Sequence, residues 1–165
     1  MADENDLVLE RTLDAPIELV WEAFTNPNHL KKWFAPKPYE ISELDLDLKP
    51  GGIFRIRMVG PDGFDTGHGV PGCVLEVIDR QKLVWTNALG PGYRPSEMGE
   101  GCESFPMTAI MTFADAGNGK TLYKAVALHK DAADKETHEK MGFHEGWGTT
   151  ASQLEDLAKS LSVNA

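Results

Sequence analysis

The chain has 165 residues, of which 41% are hydrophobic and 25% charged, a composition typical of one globular domain with a core of its own. Its formal charge of −10, from 26 acidic and 16 basic residues, opposes binding to the phosphates of nucleic acids. No apolar run approaches the roughly 18 residues that a membrane span needs, and the acidic start MADENDLVLE is unlike a signal peptide. We therefore expect a single cytoplasmic domain over residues 1–165, with no nucleic-acid partner and no membrane span.

The first predicted elements are a strand and two short helices. Leu7 to Thr12 alternates in polarity as a strand does. Asp14-Ala-Pro16 is a helix-start signal, and apolar residues follow it at helical spacing. Asn26-Pro27 begins a second short helix, which Pro36 and Pro38 end.

From Tyr39 to His129 the pattern changes to a period of two with turn residues between segments, which predicts a meandering antiparallel sheet. With the first strand, about eight strands are expected, or about seven if the two around Pro71 are one strand broken by a bulge. The predicted strands are Glu40–Leu48, Ile53–Val59, Phe64–Gly69, Gly72–Arg80, Lys82–Leu89, Phe105–Ala114 and Lys120–His129.

One connection, from Gly90 to Ser104, is longer than a hairpin needs and contains four glycines and two prolines. Loops of this length are commonly functional lids or disordered excursions. Both interpretations stay open.

The C-terminal segment from Thr137 to Leu161 predicts one long amphipathic helix, because apolar residues recur along it at spacings of three and four. Its first half contains three glycines, Gly142, Gly146 and Gly148. Each glycine costs about 1 kcal/mol relative to alanine inside a helix. Glycines beside large aromatic side chains leave volume unfilled, so we predict that this helix is the wall of a cavity.

The order of these elements predicts an α+β fold. A twisted antiparallel sheet of about seven strands curls around the long C-terminal helix, and two short helices follow the first strand. Any gap between the helix and the concave face of the sheet is a pocket.

The candidate ligand-binding residues are apolar or aromatic, with a few polar anchors. On the Ile53–Val59 strand the apolar set is expected to face inward and the arginines outward, although the opposite orientation stays open. Methionines adapt to irregular ligands, but they also fill cores, and Phe143 and Trp147 have the same alternative role. The candidates are Phe54, Ile56, Met58, Trp85, Asn87, Tyr93, Met107, Met111, Phe143, Gly146, Trp147 and Thr150.

Candidates for acid/base chemistry are His68, Tyr93, Arg94 and Glu103, but no catalytic-triad order or nucleophile elbow accompanies them. The chain is therefore expected to bind rather than to catalyse. No cofactor or metal is expected, because the sequence has no HExxH motif and its two cysteines, Cys73 and Cys102, do not form a CxxC pair.

From Leu7 to Leu161 the chain resembles a known family. Five segments carry the resemblance, in the order ERTLDAPIELVWEAFTNPNHLKKWF, KPGGIFRIRM, PDG, LEVIDRQKLVWT and EGWGTTASQLEDLAKSL. They are similar to bacterial proteins related to the C-terminal domain of the activator of heat-shock protein 90 ATPase, within the START-like or SRPBCC superfamily. The resemblance implies a helix-grip fold, also called Bet v 1-like, which encloses a deep, mostly apolar cavity.

The resemblance does not imply one activity, since relatives include lipid and hormone binders, polyketide cyclases and heat-shock-protein co-factors. We expect an apolar small-molecule ligand, lipid-like or aromatic and polyketide-like, in the cavity between the C-terminal helix and the sheet. The alternatives are a cyclase- or hydrolase-like enzyme acting on such a ligand, and a chaperone-associated stress protein. Homodimer formation and contact with a chaperone stay open.

Overall fold

The computed structural model describes residues 3–67, 71–96 and 105–163. Two 3-10 turns, Pro61–Gly63 and Pro91–Tyr93, lie among the helices and strands of these ranges. The helices and strands are β1 (Asp6–Leu13), α1 (Ile17–Thr25), α2 (Pro27–Trp33), β2 (Glu40–Leu46), β3 (Ile53–Val59), β4 (Gly72–Ile78), β5 (Lys82–Thr86), β6 (Leu89–Gly90), β7 (Arg94–Pro95), β8 (Met107–Gly117), β9 (Lys120–His129), α3 (Ala132–Lys140) and α4 (Phe143–Val163).

Seven strands form one antiparallel sheet in the order β1-β9-β8-β5-β4-β3-β2. The register shifts between Ile41 and Glu43 in β2 and between Val74 and Glu76 in β4. Such irregularities increase the local twist and bend a strand. The predicted α+β fold, a curved antiparallel sheet of about seven strands around a long C-terminal helix, is confirmed.

The two short helices begin where the sequence predicts. α1 follows Pro16, whose fixed φ suits a helix start, and the side chain of Asn26 caps α2 by accepting a hydrogen bond from the backbone N–H of Asn28 at 3.0 Å. Phe24 and Trp33 from these helices are fully buried and lie in edge-to-face contact, with ring centroids 4.9 Å apart. The pair belongs to the main core.

The C-terminal half of α4 is part of the same core. Ala151, Leu154 and Ala158 are at most 1% exposed, and the alanines allow the helix to approach its neighbours closely. Glu155 accepts a hydrogen bond of 2.7 Å from the backbone N–H of Asp14, which fixes α4 against the turn before α1. None of the helices in the described ranges is both long and apolar enough to span a bilayer.

The prediction of one helix from Thr137 to Leu161 is wrong. The chain forms α3 and α4, separated at Met141 and Gly142. Gly142 has a φ of +95°, which an α-helix cannot accommodate, and the backbone N–H of Met141 closes α3 on the carbonyl of Thr137. The first of the three glycines is therefore a helix terminator.

Two predicted strands also differ. In the described part of Phe64–Gly69 no strand forms: Asp65 makes a single bridge to Val59, because the preceding turn takes Asp62 and Gly63 into positive φ. Residues 68 and 69 lie outside the described ranges.

The predicted strand Lys82–Leu89 ends at Thr86, since the side chain of Asn87 pairs with backbone groups and replaces the ladder. The start of the predicted Gly90–Ser104 loop is a small hairpin of β6 and β7, and residues 97–104, with Cys102 among them, lie outside the described ranges. Whether the loop is a lid stays open.

Candidate ligand-binding cavity

A cavity of about 520 Å³ lies between the first half of α4 and the concave face of the sheet. Its volume falls within the range of about 300 to 1,000 Å³ that is usual for small-molecule sites. The described residues that line it are Trp33, Phe34, Pro36, Tyr39, Met58, Phe64, Trp85, Met107, Met111, Tyr123, His138, Met141, Gly142, Phe143, Gly146, Trp147 and Thr150.

Gly146 leaves space at the wall that α4 forms. A Cβ atom built on it would contact only the Cγ atom of Pro36, at 4.0 Å. The aromatic side chains beside it on α4 are Phe143 and Trp147, whose ring centroids are 4.5 Å apart. Gly148 lies elsewhere: its Cβ would be 3.4 Å from the guanidinium of Arg11 on β1. The three glycines of the sequence pattern therefore have three different roles, and only Gly146 keeps volume free within the helix.

The cavity opens to solvent beside two apolar side chains. Phe64, after the 3-10 turn, is 42% exposed, and Met141, between α3 and α4, is 54% exposed. Both also line the cavity, so they mark its mouth. Large exposed apolar side chains at a pocket entrance are available to a ligand at little cost in rearrangement.

The segment after α2 forms another wall and is held by Gln153 of α4. The side-chain amide of Gln153 donates to the carbonyl oxygens of Trp33 and Ala35, both at 2.8 Å, and its oxygen accepts from the backbone N–H of Lys37 at 2.9 Å. The indole N–H of Trp33 in turn donates to the carbonyl of Ala23 at 2.8 Å. These bonds fix the aromatic wall before any ligand is present.

The sheet contributes its inward face, and the orientation of β3 follows the expected one. Phe54 is 3% exposed, while Arg55 pairs with Asp45 at 2.7 Å and Arg57 with Asp65 at 2.8 Å on the outer face. The hydrogen bonds that Arg57 donates to Asp65, and then the one to Glu43, raise the pKa of Arg57 above its ordinary value. The arginines are therefore engaged by carboxylates outside the cavity.

Many of the predicted ligand-binding residues come together at this cavity. They come from four elements that are distant in the sequence. The predicted residues that line it are Met58, Trp85, Met107, Met111, Phe143, Gly146, Trp147 and Thr150.

Four predicted residues lie outside the lining. Phe54 is behind it, stacked on Trp85 with ring centroids 4.5 Å apart and planes within 1°. Ile56 packs against the core, and Asn87 bonds the carbonyl of Phe105 and the N–H of Met107.

Tyr93, the fourth, is half-exposed and lies over Gly51. Arg94, a candidate for acid/base chemistry, is on the exposed strand β7. The remaining candidates for acid/base chemistry, His68 and Glu103, fall outside the described residues.

Sequence reasoning missed several lining residues. The sequence shows Trp33, Phe34 and Tyr123 as aromatic residues near a predicted helix and in a predicted strand. Hydrophobic periodicity, however, does not distinguish a side chain that lines a cavity from one that fills the core. The positions of Phe64 and Met141 at the cavity depend on turns, and hydrophobic periodicity does not predict the course of a turn. The other lining residues that the list of candidates lacks are Pro36, Tyr39, His138 and Gly142.

His138 is a lining residue that carries a titratable imidazole and is only 9% exposed. Its Nδ1 atom lies 2.9 Å from Nε2 of His129, and Nδ1 of His129 lies 2.8 Å from the carbonyl oxygen of Asn5. Burial lowers the pKa of His138 to about 4, and the adjacent His129 adds to the effect. The ring of His138 is thus neutral near pH 7.

Two further polar atoms belong to lining residues. Nε1 of Trp85 is enclosed by protein and has no hydrogen-bond partner in the described part of the chain. The Tyr123 side chain is 3% exposed, and its burial raises the pKa of the hydroxyl. Within the described ranges, no group of three or more His, Cys, Asp or Glu residues is arranged to hold a metal ion.

Comparison with known proteins covers nearly the whole chain. A protein of Nitrosomonas europaea of known structure is 43% identical, with a TM-score of 0.88, and the match covers 98% of this chain and 99% of that one. Proteins of Chromobacterium violaceum (22% identity, TM-score 0.71, 94% and 98% covered) and Rhodobacter sphaeroides (16%, 0.77, 98% and 97%) share the fold. No curated protein is similar enough to count as a relative. Because residues 14–159 match the family described as "Activator of Hsp90 ATPase homolog 1-like protein", the chain belongs to that family.

Proposed function

We propose that the protein binds an apolar small molecule, lipid-like or aromatic, in the cavity between α4 and the sheet. The cavity itself carries the proposal: it has about 520 Å³, aromatic and methionine walls, and no Lys, Arg, Asp or Glu among its described lining residues. Burial of apolar ligand surface supplies about 25 cal/mol per Å². The wall fixed by Gln153 lowers the cost of ordering the site on binding.

A cavity-filling substitution tests this function. In Gly146→Leu the added side chain begins in open space, with its Cβ in ordinary contact with Pro36, and extends into the cavity. The probe is N-phenyl-1-naphthylamine, a neutral aromatic compound whose fluorescence rises in apolar surroundings. We expect the wild type to bind it with saturation and Gly146→Leu to bind it at least about tenfold more weakly.

Gly148→Leu is the matched control, because it adds the same side chain to the same helix towards Arg11, outside the cavity lining. It should keep the wild-type affinity. No saturable binding by the wild type, or equal weakening in both variants, would contradict the proposed function. Native mass spectrometry of the protein as purified would show whether a ligand is carried along.

A second candidate function, contact with the heat-shock protein 90 chaperone, is favoured by one observation, the match to a family named after an activator of that ATPase. Co-purification with purified chaperone, and a change in its ATPase rate, test this candidate. Neither effect is expected if the protein only binds a small molecule.

The enzyme hypothesis has less support. Tyr93 and Arg94 are not among the described residues that line the cavity. Homodimer formation and a cytoplasmic location stay predictions, and light scattering of the purified protein tests the first.

A further inference from the structure

Two successive hydrogen bonds, one between the Asn5 carbonyl and His129 and one between His129 and His138, determine which ring nitrogens carry hydrogen. The carbonyl oxygen of Asn5 can only accept, so Nδ1 of His129 must be the donor across their 2.8 Å contact. In a neutral ring the Nε2 atom of His129 then has only a lone pair. The Nδ1 atom of His138, 2.9 Å away, must therefore carry the hydrogen that joins the two rings.

This assignment leaves Nε2 of His138 as a hydrogen-bond acceptor. The atom has no hydrogen-bond partner in the part of the chain that the structure describes. The ring lies among Phe105, Phe143 and Trp147, with centroid distances of 5.2, 5.2 and 5.8 Å, and it forms part of the cavity lining. These rings give the nitrogen no hydrogen bond, so the partner that it can gain in the cavity is a hydrogen-bond donor on a ligand.

Two more lining residues present polar atoms without partners among the described residues. The indole N–H of Trp85 can only donate, and the hydroxyl of Tyr123 can donate or accept. Because no charged side chain joins them in the described lining, an ionised carboxylate placed here would lose its hydration without gaining a cation. A neutral hydroxyl or carbonyl group loses far less hydration free energy than a carboxylate when it is buried against the same walls.

We propose that the ligand is a neutral, largely apolar molecule with a hydroxyl group that donates a hydrogen bond to Nε2 of His138, as a phenol or a hydroxylated polycyclic compound would. This assignment rests on the proposed function and narrows it, because it disfavours plain hydrocarbons and fatty-acid anions. A hydroxyl satisfies the histidine only if it carries its hydrogen, so an ether of the same shape is the discriminating comparison.

Three naphthalene derivatives test the proposal by isothermal titration calorimetry. 2-Naphthol has the donor, 2-methoxynaphthalene has the same ring without it, and 2-naphthoate is an anion. We expect 2-naphthol to bind about tenfold more tightly than 2-methoxynaphthalene, and 2-naphthoate more weakly than both. Equal affinity for the two neutral compounds, while N-phenyl-1-naphthylamine still binds, would overturn this inference and leave the proposed function standing; failure of all the neutral probes would overturn both.

The variant His138→Asn assigns the preference to the histidine. The amide of Asn reaches the position of Nδ1 and can still donate to His129, but it has no group at the position of Nε2. We expect the preference for 2-naphthol over its ether to fall to about twofold or less, with the affinity for the ether unchanged. His144→Asn is the control, because His144 is an exposed histidine that pairs with Glu139 at 3.1 Å and is absent from the described lining. A preference that survives in His138→Asn would overturn the assignment.

A spectroscopic readout makes the test independent of the variant's stability. Long-range ¹H–¹⁵N correlation on the wild type should show His138 as the Nδ1–H tautomer, and 2-naphthol should shift the Nε2 resonance while 2-methoxynaphthalene does not. A hydrogen on Nε2 in the free protein would contradict the proposal.

Discussion

The side-chain amide of Gln153 donates a hydrogen bond of 2.8 Å to the backbone carbonyl of Trp33, 120 positions away in the chain. The same amide group also donates to the carbonyl of Ala35, and its oxygen accepts from the N–H of Lys37. One side chain thus supplies the hydrogen-bond partners of three backbone groups at the end of α2 and in the segment after it. The cavity wall formed by this segment depends on it.

Replacing Gln153 with Leu should destabilise the protein by about 2 to 4 kcal/mol, because two carbonyl groups and one N–H lose their partner in a partly buried site. Urea denaturation followed by circular dichroism measures the change in the free energy of unfolding. Ser152→Ala, at the exposed neighbour on α4, should change it by less than about 0.5 kcal/mol. A Gln153→Leu variant as stable as Ser152→Ala would show that the segment after α2 is held by other contacts.

Two hydroxyl groups on β9 should respond differently to removal. Thr121 is fully buried and donates to the carbonyl of Ala15 at 2.8 Å, so Thr121→Val should cost about 1 to 3 kcal/mol. The hydroxyl of Tyr123 has no partner among the described residues, so Tyr123→Phe should change the free energy of unfolding by less than about 0.5 kcal/mol. Urea denaturation of both variants makes the comparison. A cost for Tyr123→Phe equal to that for Thr121→Val would mean that the hydroxyl is already bonded and is not free for a ligand.

The sequence was sufficient for the architecture and for part of the cavity wall, for identifiable reasons. Alternation on β3 places Phe54 inward and the arginines outward, and helical spacing places Phe143 and Trp147 on one face. Helical spacing does not predict the break at Gly142. The apolar residues on either side of it continue the same three- and four-residue spacing, although the backbone leaves the helical conformation there. Likewise, the role of Gln153 depends on the position of a distant segment, and no local pattern carries that information.

His138 illustrates the same limit. In the sequence it is one of three histidines near the C-terminus and is six positions from His144, a spacing that argues against a metal pair. Its actual partner is His129, which lies on β9 before α3 and comes into reach only because α3 folds back on that strand. The relation between the two rings is a property of the tertiary fold.

The stability of the protein should fall between pH 6.5 and about 4 because of His138. Unfolded histidine has a pKa near 6.5, whereas burial, and next the neighbouring His129, lowers the pKa of His138 to about 4. Between these values the unfolded chain binds a proton that the folded chain does not, so the free energy of unfolding falls as the pH falls and levels off below about 4. At 1.36 kcal/mol per pH unit, the upper limit of this loss is about 3 kcal/mol.

Urea denaturation at several pH values measures this effect. The groups that face the His138 ring are His129 and the uncharged rings of Phe105, Phe143 and Trp147, so no carboxylate among them offsets the loss. In His138→Asn the slope between pH 6.5 and 4 should be smaller than in the wild type, while exposed His144→Asn should keep the wild-type slope. Identical slopes in all three proteins would place the titration elsewhere.

The two glycines at the start of α4 should give opposite results when each is changed to alanine. Gly142 has a φ of +95°, where an L side chain is strained, so Gly142→Ala should lower the free energy of unfolding by about 1 to 2 kcal/mol although nothing lies within 4 Å of the added Cβ. Gly146 lies within the helix, and its added Cβ meets only Pro36 at 4.0 Å, so Gly146→Ala should raise the free energy of unfolding by up to about 1 kcal/mol.

Thermal and urea denaturation of the two alanine variants test this difference, and binding of N-phenyl-1-naphthylamine shows what the glycine at 146 is for. One methyl group occupies little of a cavity of about 520 Å³, so Gly146→Ala should keep the probe affinity within about twofold while it gains stability. A stabilised variant that still binds the probe would mean that any small side chain at position 146, and not glycine alone, leaves the cavity open. Destabilisation by Gly146→Ala would instead show that Pro36 and α4 are in closer contact than the structure has them, and the wall would be core rather than cavity.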